Sequence, residues 1–192
     1  VSRTSAVAAS SYGHYVAVTS LTPLWEWFIY TAPLGLERIA DGDVVGISAD
    51  ASVTASNDTR AALRWTAATG AVLLDVYGSD SGTRALGISA DGEFIVGSSY
   101  DALGGTIGHA VRWNAAGVPE DLGDLPGGTV NATAIAASAD GSAVTGTSSS
   151  ASGVEAFRWT AATGMQGLGM LPGGEDYGSR PTAISSDGIV VL

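Results

Sequence analysis

The chain has no cysteine and no lysine among its 192 residues. Without cysteine there is no disulfide, no thiolate nucleophile and no cysteine-ligated zinc. Without lysine every one of the 8 basic residues is arginine, and against 19 acidic residues they leave a net charge of −11. Such a chain lacks the cationic face that neutralises phosphates, which argues against nucleic acid as a partner and against docking on anionic lipid. Long apolar runs are missing too. The mean hydropathy of +0.25 comes from scattered Ala, Val and Ile, and no segment approaches the ~20 consecutive apolar residues of a membrane helix. Membrane insertion by this segment is therefore not expected. Histidine is scarce, with His14 and His109 alone. The chain opens directly in repeat sequence, so any targeting signal is expected to have been removed or to lie upstream.

What is abundant is glycine, 27 residues, with only 14% charged residues. That balance fits many short strands with Gly-rich turns better than helices. The stretch from Ala85 to Ser99 reads as strand, tight turn, strand: apolar Leu86 and Ile88, then Ser89-Ala90-Asp91-Gly92, then Phe94 and Val96. Asp-Gly between apolar runs is a strong hairpin signal, because glycine tolerates positive φ and the Asp side chain caps turn N–H groups. The unit recurs at Ser48-Ala49-Asp50-Ala51, Ser138-Ala139-Asp140-Gly141 and Ser185-Ser186-Asp187-Gly188, and in degraded form at Ser10-Ser11-Tyr12-Gly13. A second landmark follows each hairpin. It ends in tryptophan: Leu24 to Trp27, Ala62 to Trp65, Ala110 to Trp113, and Ala156 to Trp159. Behind the last three stand the turns Thr66 to Gly70, Asn114 to Gly117 and Thr160 to Gly164, and then a fourth segment leads out of each repeat.

Each repeat thus holds four strand candidates. Successive turn serines (Ser10, Ser48, Ser89, Ser138, Ser185) are 38, 41, 49 and 47 residues apart. Periods of about 40–50 with four strands per unit predict the blades of a β-propeller. The expected fold is all-β, of four-stranded antiparallel blades, in one repeat domain spanning 1–192. Its approximate blades are 6–43, 44–84, 85–131 and 132–180, with a partial fifth at 181–192. The count does not close a ring, so the chain is expected to be a stretch of a longer one, or to meet further blades or other chains at its open edge.

At these residues the sequence resembles the extracellular HAF-type repeat family, named for a His-Ala-Phe stretch followed by tryptophan. The resemblance rests on His109 to Trp113, on Glu155 to Trp159, and on Leu122 to Gly128 and Leu168 to Gly174, both of which end in Leu-Pro-Gly-Gly. Each is followed by its Ser-x-Asp-Gly hairpin. It covers nearly the whole chain and is closest from Ala85 onward; residues 1–45 depart from it, lacking both the arginine before tryptophan and the Leu-Pro-Gly-Gly. The resemblance implies a bacterial surface or secreted protein, sometimes an autotransporter passenger; it does not imply a catalytic activity.

The candidate chemistry is thin. Trp27, Trp65, Trp113 and Trp159 could stack sugars, but one ring per repeat at a fixed strand position favours packing between blades. Arg64, Arg112 and Arg158 alternate with them, so they point to the opposite strand face and are expected to pair with blade carboxylates. Asp50, Asp91, Asp140 and Asp187 offer one carboxylate per turn where calcium wants six or more oxygens, so turn capping is the better account and no motif supports a cofactor or a calcium site. His14 occupies a turn exit and His109 a tolerated strand start. Neither a Gly-x-Ser-x-Gly elbow, a phosphate-cradling loop nor a zinc-binding His pair is present.

Length varies in two of the four loops of each repeat. In an up-and-down blade, the first and third turns fall at one end of the sheet, and they are nearly uniform here. The second and fourth connections fall at the other end, and they carry the differences. Variable loops on a fixed scaffold are where binding resides. The expected contact set is Asp58, Asp80, Tyr100, Asp101, Glu175, Asp176 and Tyr177. The expected function is a non-enzymatic extracellular scaffold that meets protein or glycan at a surface. The alternative is a carbohydrate-binding or glycoside-hydrolysing propeller with a carboxylate pair in its cleft.

Overall fold

The computed structural model describes residues 4–9, 15–20, 25–31, 35–41, 43–59, 61–101, 108–170 and 178–192, the segments before 43 by their backbone alone. These residues form sixteen strands and, among the described residues, no helix. The first sheet is β1 (Thr4–Ala9), β2 (Tyr15–Ser20), β3 (Trp25–Thr31) and β4 (Gly35–Asp41), and the second is β5 (Asp43–Ile47), β6 (Val53–Asn57), β7 (Ala62–Thr66) and β8 (Gly70–Leu73). In the third, β9 (Gly82–Ile88), β10 (Ile95–Tyr100), β11 (Gly108–Trp113) and β12 (Pro119–Asp121) follow the same meander. So do β13 (Gly127–Ala137), β14 (Ala143–Ser150), β15 (Gly153–Thr160) and β16 (Gly164–Gly167) in the fourth. All pairing within a sheet is antiparallel, and a lone parallel bridge, Gly108 to Asn131, joins the third sheet to the fourth. A last hairpin is marked by the bridge between Ile184 and Val191.

The first strands of successive sheets neighbour one another, β1 with β5, β5 with β9 and β9 with β13, so the sheets converge along these strands. Each first strand also carries a β-bulge at the same place, between Ala6 and Ala8, Val44 and Gly46, Ala85 and Gly87, and Ala134 and Ala136. A bulge adds a residue to one strand and bends it, which turns the strand as it enters its hairpin. The outer strands are the exposed ones: Val72 and Leu73 of β8 are 44% and 61% accessible.

The sheets pack face to face, and that decides the burial pattern. Ile95 and Val96 are consecutive in β10, point to opposite faces, and are both buried. Ile95 lies in the layer between the second and third sheets, with Ala55, Ala62, Leu74, Ala85, Val111 and Trp113. Val96 lies in the layer between the third and fourth, with Leu122, Leu125, Val144, Phe157 and Trp159. The expected tryptophan packing is what the described residues show: Trp65, Trp113 and Trp159 are 7%, 0% and 5% accessible. The Trp113 indole N–H donates to the Asp75 carbonyl of the preceding sheet's exit at 2.8 Å. The first Leu-Pro-Gly-Gly also has a local cause. Leu125 is buried and its N–H donates to Ser148 Oγ, while a Cβ on Gly128 would collide with the backbone of Ser149. The second, Leu171 to Gly174, lies outside the described residues.

Candidate functional site

The two ends of the sheets differ in how their polar groups are used. At one end stand the Ser-x-Asp-Gly turns, and there the structure consumes them. In each of four turns the serine hydroxyl donates to the aspartate two residues on: Ser48 to Asp50, Ser89 to Asp91, Ser138 to Asp140 and Ser185 to Asp187. The same hydroxyl accepts the N–H five residues on, from Val53, Phe94, Ala143 and Val190. The aspartate also accepts one backbone N–H, that of Ser52, Glu93, Ser142 or Ile189. Hydrogen bonds to a carboxylate favour its charged form. The Ser142 N–H and hydroxyl, with Ser138, hold Asp140 down at about 2. Ser52 and Ser48 lower Asp50, and Ser185 and Ile189 lower Asp187, in the same direction. These carboxylates cap turns.

The turns also tie sheet to sheet. The Ala49 N–H donates to the Ala90 carbonyl, Asp91 to Ala139, and Ala139 to Ser186, so consecutive turns form a chain of backbone hydrogen bonds. The repeated arginines complete it, and here the expected ion pairing is corrected. Their shared partner is the carbonyl of the next turn: Arg64 donates to residue Gly92, Arg112 to Gly141 and Arg158 to Gly188, each at 2.6 Å. Among the described residues only Arg112 also has a carboxylate within salt-bridge reach, Glu120 at 2.6 Å. Its guanidinium is sandwiched between the Phe94 ring at 4.4 Å and the Trp159 ring at 4.8 Å, a stacked cation–π contact. A fixed carbonyl suits a repeat better than a carboxylate, because it is present whatever the side chain.

The other end carries the variable loops. Asp58 and Tyr100, two of the expected contact residues, line one open polar cleft of about 230 Å³ with Asp43, Asn57, Thr83 and Arg84. Asn57 is held rigid, its amide bonding both the N–H and the carbonyl of Ala85 in the next sheet. The Tyr100 ring packs where a side chain on Gly82 would otherwise stand. Asp80 is not part of this cleft. Its carboxylate is 3.0 Å from His109 Nδ1, with the Tyr77 ring 5.1 Å from the imidazole. Asp101 follows β10 and is half-buried. Glu175, Asp176 and Tyr177 lie outside the described residues, as does His14.

His109 is therefore more than a tolerated strand start. It is paired directly across from Ser99, which brings serine, histidine and aspartate near one another. Ser99 is fully buried, and its hydroxyl accepts the Tyr77 N–H at 2.9 Å. Ser148 does the same for Leu125 in the next sheet, opposite Glu155 rather than histidine. The serine is thus a repeated loop anchor. Sequence reasoning also missed Arg84, the cation of the cleft, and Asp43. Only the pairing of Asp43 with Asn57 across β5 and β6 would have brought it beside Asp58.

No protein-family model matches the chain, and no curated protein matches it. Solved structures do. The chain is similar to a structure described as putative TolB from Agrobacterium tumefaciens, with a TM-score of 0.57 and 16% identity, over 88% of this chain and 63% of that one. It is similar to an S511A mutant of puromycin hydrolase, with a TM-score of 0.52 and 16% identity, over 91% of this chain and 30% of that one. It is similar as well to hydrazine synthase from Kuenenia stuttgartiensis, with a TM-score of 0.54 and 17% identity, over 96% of this chain and 59% of that one. The chain spans less than two thirds of each. At such identities the likeness shows the fold, a β-propeller, and the fold alone.

Proposed function

We propose that the chain is a run of four four-stranded propeller blades, with the start of a fifth, that acts as a non-enzymatic extracellular scaffold of the HAF-repeat kind. Its variable-loop end meets protein or glycan at a cell or bacterial surface. The observation that carries this reading is the contrast between the two ends. One end spends its serines and aspartates on capping turns and its arginines on joining sheet to sheet. The other leaves Asp43, Asp58, Arg84 and Tyr100 around an open cleft. Polar groups of both signs beside an aromatic ring, held on rigid strand ends, suit hydrogen-bonded recognition of a hydrated surface.

The test is binding of the labelled chain to an array of glycans and immobilised surface proteins, set beside an Asp58→Ala, Arg84→Ala variant. Both side chains are exposed, so the variant is expected to melt as wild type does and to lose binding at least tenfold. Unchanged binding moves the site off this end, and no binding by the wild type sinks the scaffold reading. A second reading, glycoside hydrolysis, draws on Asp43 and Asp58 lining one cleft, since two carboxylates flanking a bond are what such hydrolysis needs. Release of reducing sugar that Asp43→Asn abolishes would favour it.

A further inference from the structure

The repeated arginine is completed differently in successive sheets. In the third sheet Arg112 lies across from Glu120 of the outer strand, and Glu120 Oε2 accepts both its Nε–H at 3.0 Å and its Nη2–H at 2.6 Å. In the second sheet the register places Val72 across from Arg64. Arg64 keeps the bond from Nη1 to the Gly92 carbonyl, and among the described residues no carboxylate takes its Nε–H and Nη2–H. Beside it a groove of about 290 Å³ is walled by Thr66, Thr69, Val72, Leu74, Ala115, Ala116 and Gly117. The groove is at the turn end, away from the polar cleft.

We propose that this groove binds a short aliphatic carboxylate, whose anionic head takes on Arg64 the place that Glu120 takes on Arg112, with its chain along Val72 and Leu74. Two observations point to that chemistry independently. The wall is mostly apolar, with the two threonine hydroxyls bonded to each other at 2.7 Å, and so selects an aliphatic body. The one charged group in the lining is a guanidinium, whose fork of N–H donors matches a carboxylate. Burial lowers the Arg64 pKa from its usual value, with the Glu93 charge acting in the other direction. The cation is thus partly stripped of water. The volume limits the ligand to a few carbons beyond its head group.

The probe is sodium hexanoate, titrated into the protein and followed by methyl NMR, with hexan-1-ol as the uncharged arm. The Val72 and Leu74 methyl resonances are expected to shift with hexanoate, and hexanol is expected to bind at least tenfold more weakly. Val72→Glu supplies the missing carboxylate from the protein itself. That variant should melt no lower than wild type and weaken hexanoate at least tenfold, whereas Glu93→Gln should tighten it. Should Val72→Glu not fold, the methyl shifts and the hexanol arm still decide. No shift at Val72 and Leu74, equal binding of hexanol, or undiminished binding by a folded Val72→Glu variant would each overturn the proposal.

Discussion

Single side chains in this protein work mostly on behalf of the neighbouring sheet. Trp113 is fully buried among residues of two sheets and donates to the Asp75 carbonyl. Trp113→Ala removes a large ring and leaves that carbonyl unpaired. It is expected to cost about 3–5 kcal/mol in a denaturant melt, and a wild-type melt would contradict the packing. Asp140 acts locally through charge. Its folded pKa, about 2, lies below the ordinary 3.8. A depressed carboxylate contributes stability that is fully present above its unfolded pKa and is lost as pH falls through the folded value. Melts are therefore expected to show this contribution undiminished from pH 7 to about 4, the unfolded carboxylate value, and to lose it between 4 and 2. Asp140→Asn should lower the melting temperature at pH 7 and flatten the acid slope; a slope unchanged in that variant would remove Asp140 from the account.

The hairpin turn is the element that does most. It must place one residue at positive φ, expose its carbonyl to an arginine, and fit tightly against the hairpin before it. Gly141 has φ +66°, and a Cβ there would run into Phe94. At the matching place in the second sheet stands Ala51, the one non-glycine residue at positive φ among those described, at 61°. The left-handed conformation costs an L-residue roughly 1–2 kcal/mol, part of which glycine's greater unfolded freedom offsets. Ala51→Gly is expected to stabilise by about 0.5–1 kcal/mol, read from the denaturation midpoint at constant m. A loss of stability would mean that the Ala51 methyl, buried at 8% accessibility, packs well enough to outweigh its backbone strain.

For the whole molecule, stability and association come from stacking. Sheets two to four are each covered on a face by a neighbour, through Trp113 in one layer and Trp159 in the next. The last hairpin is held to the fourth sheet at its turn, but three of its apolar side chains are bare. Ile189, Val190 and Leu192 are 72%, 51% and 74% accessible, and the described residues supply no strand beyond Val191 to pair with it. Unpaired edges and bare apolar side chains recruit other chains. Residues 1–192 alone are expected to self-associate with rising concentration in light scattering. Replacing Ile189 and Leu192 by threonine should reduce this. A concentration-independent monomer would contradict it.

The all-β character, the hairpins and the buried tryptophans were legible in the sequence. They depend on short-range chemistry that repeats: a Ser-x-Asp-Gly turn caps itself, and a ring at one strand position is buried in each repeat whose side chains are described. Alternation was less informative than expected. With both sheet faces covered, Ile95 and Val96 are buried side by side, and no polar face exists to set the period. What only the tertiary structure decided is which residues meet across sheets. Arg64, Arg112 and Arg158 reach turn carbonyls 28 to 30 positions away, and no carboxylate count would have named those acceptors. His109 finds Asp80 at a separation of 29, and Arg84 joins Asp43 and Asp58. Spacing along the chain states that such residues share an end of the fold. Their distances are set by how each sheet is rotated and staggered on the last, which is a property of the packed layers and not of any one repeat.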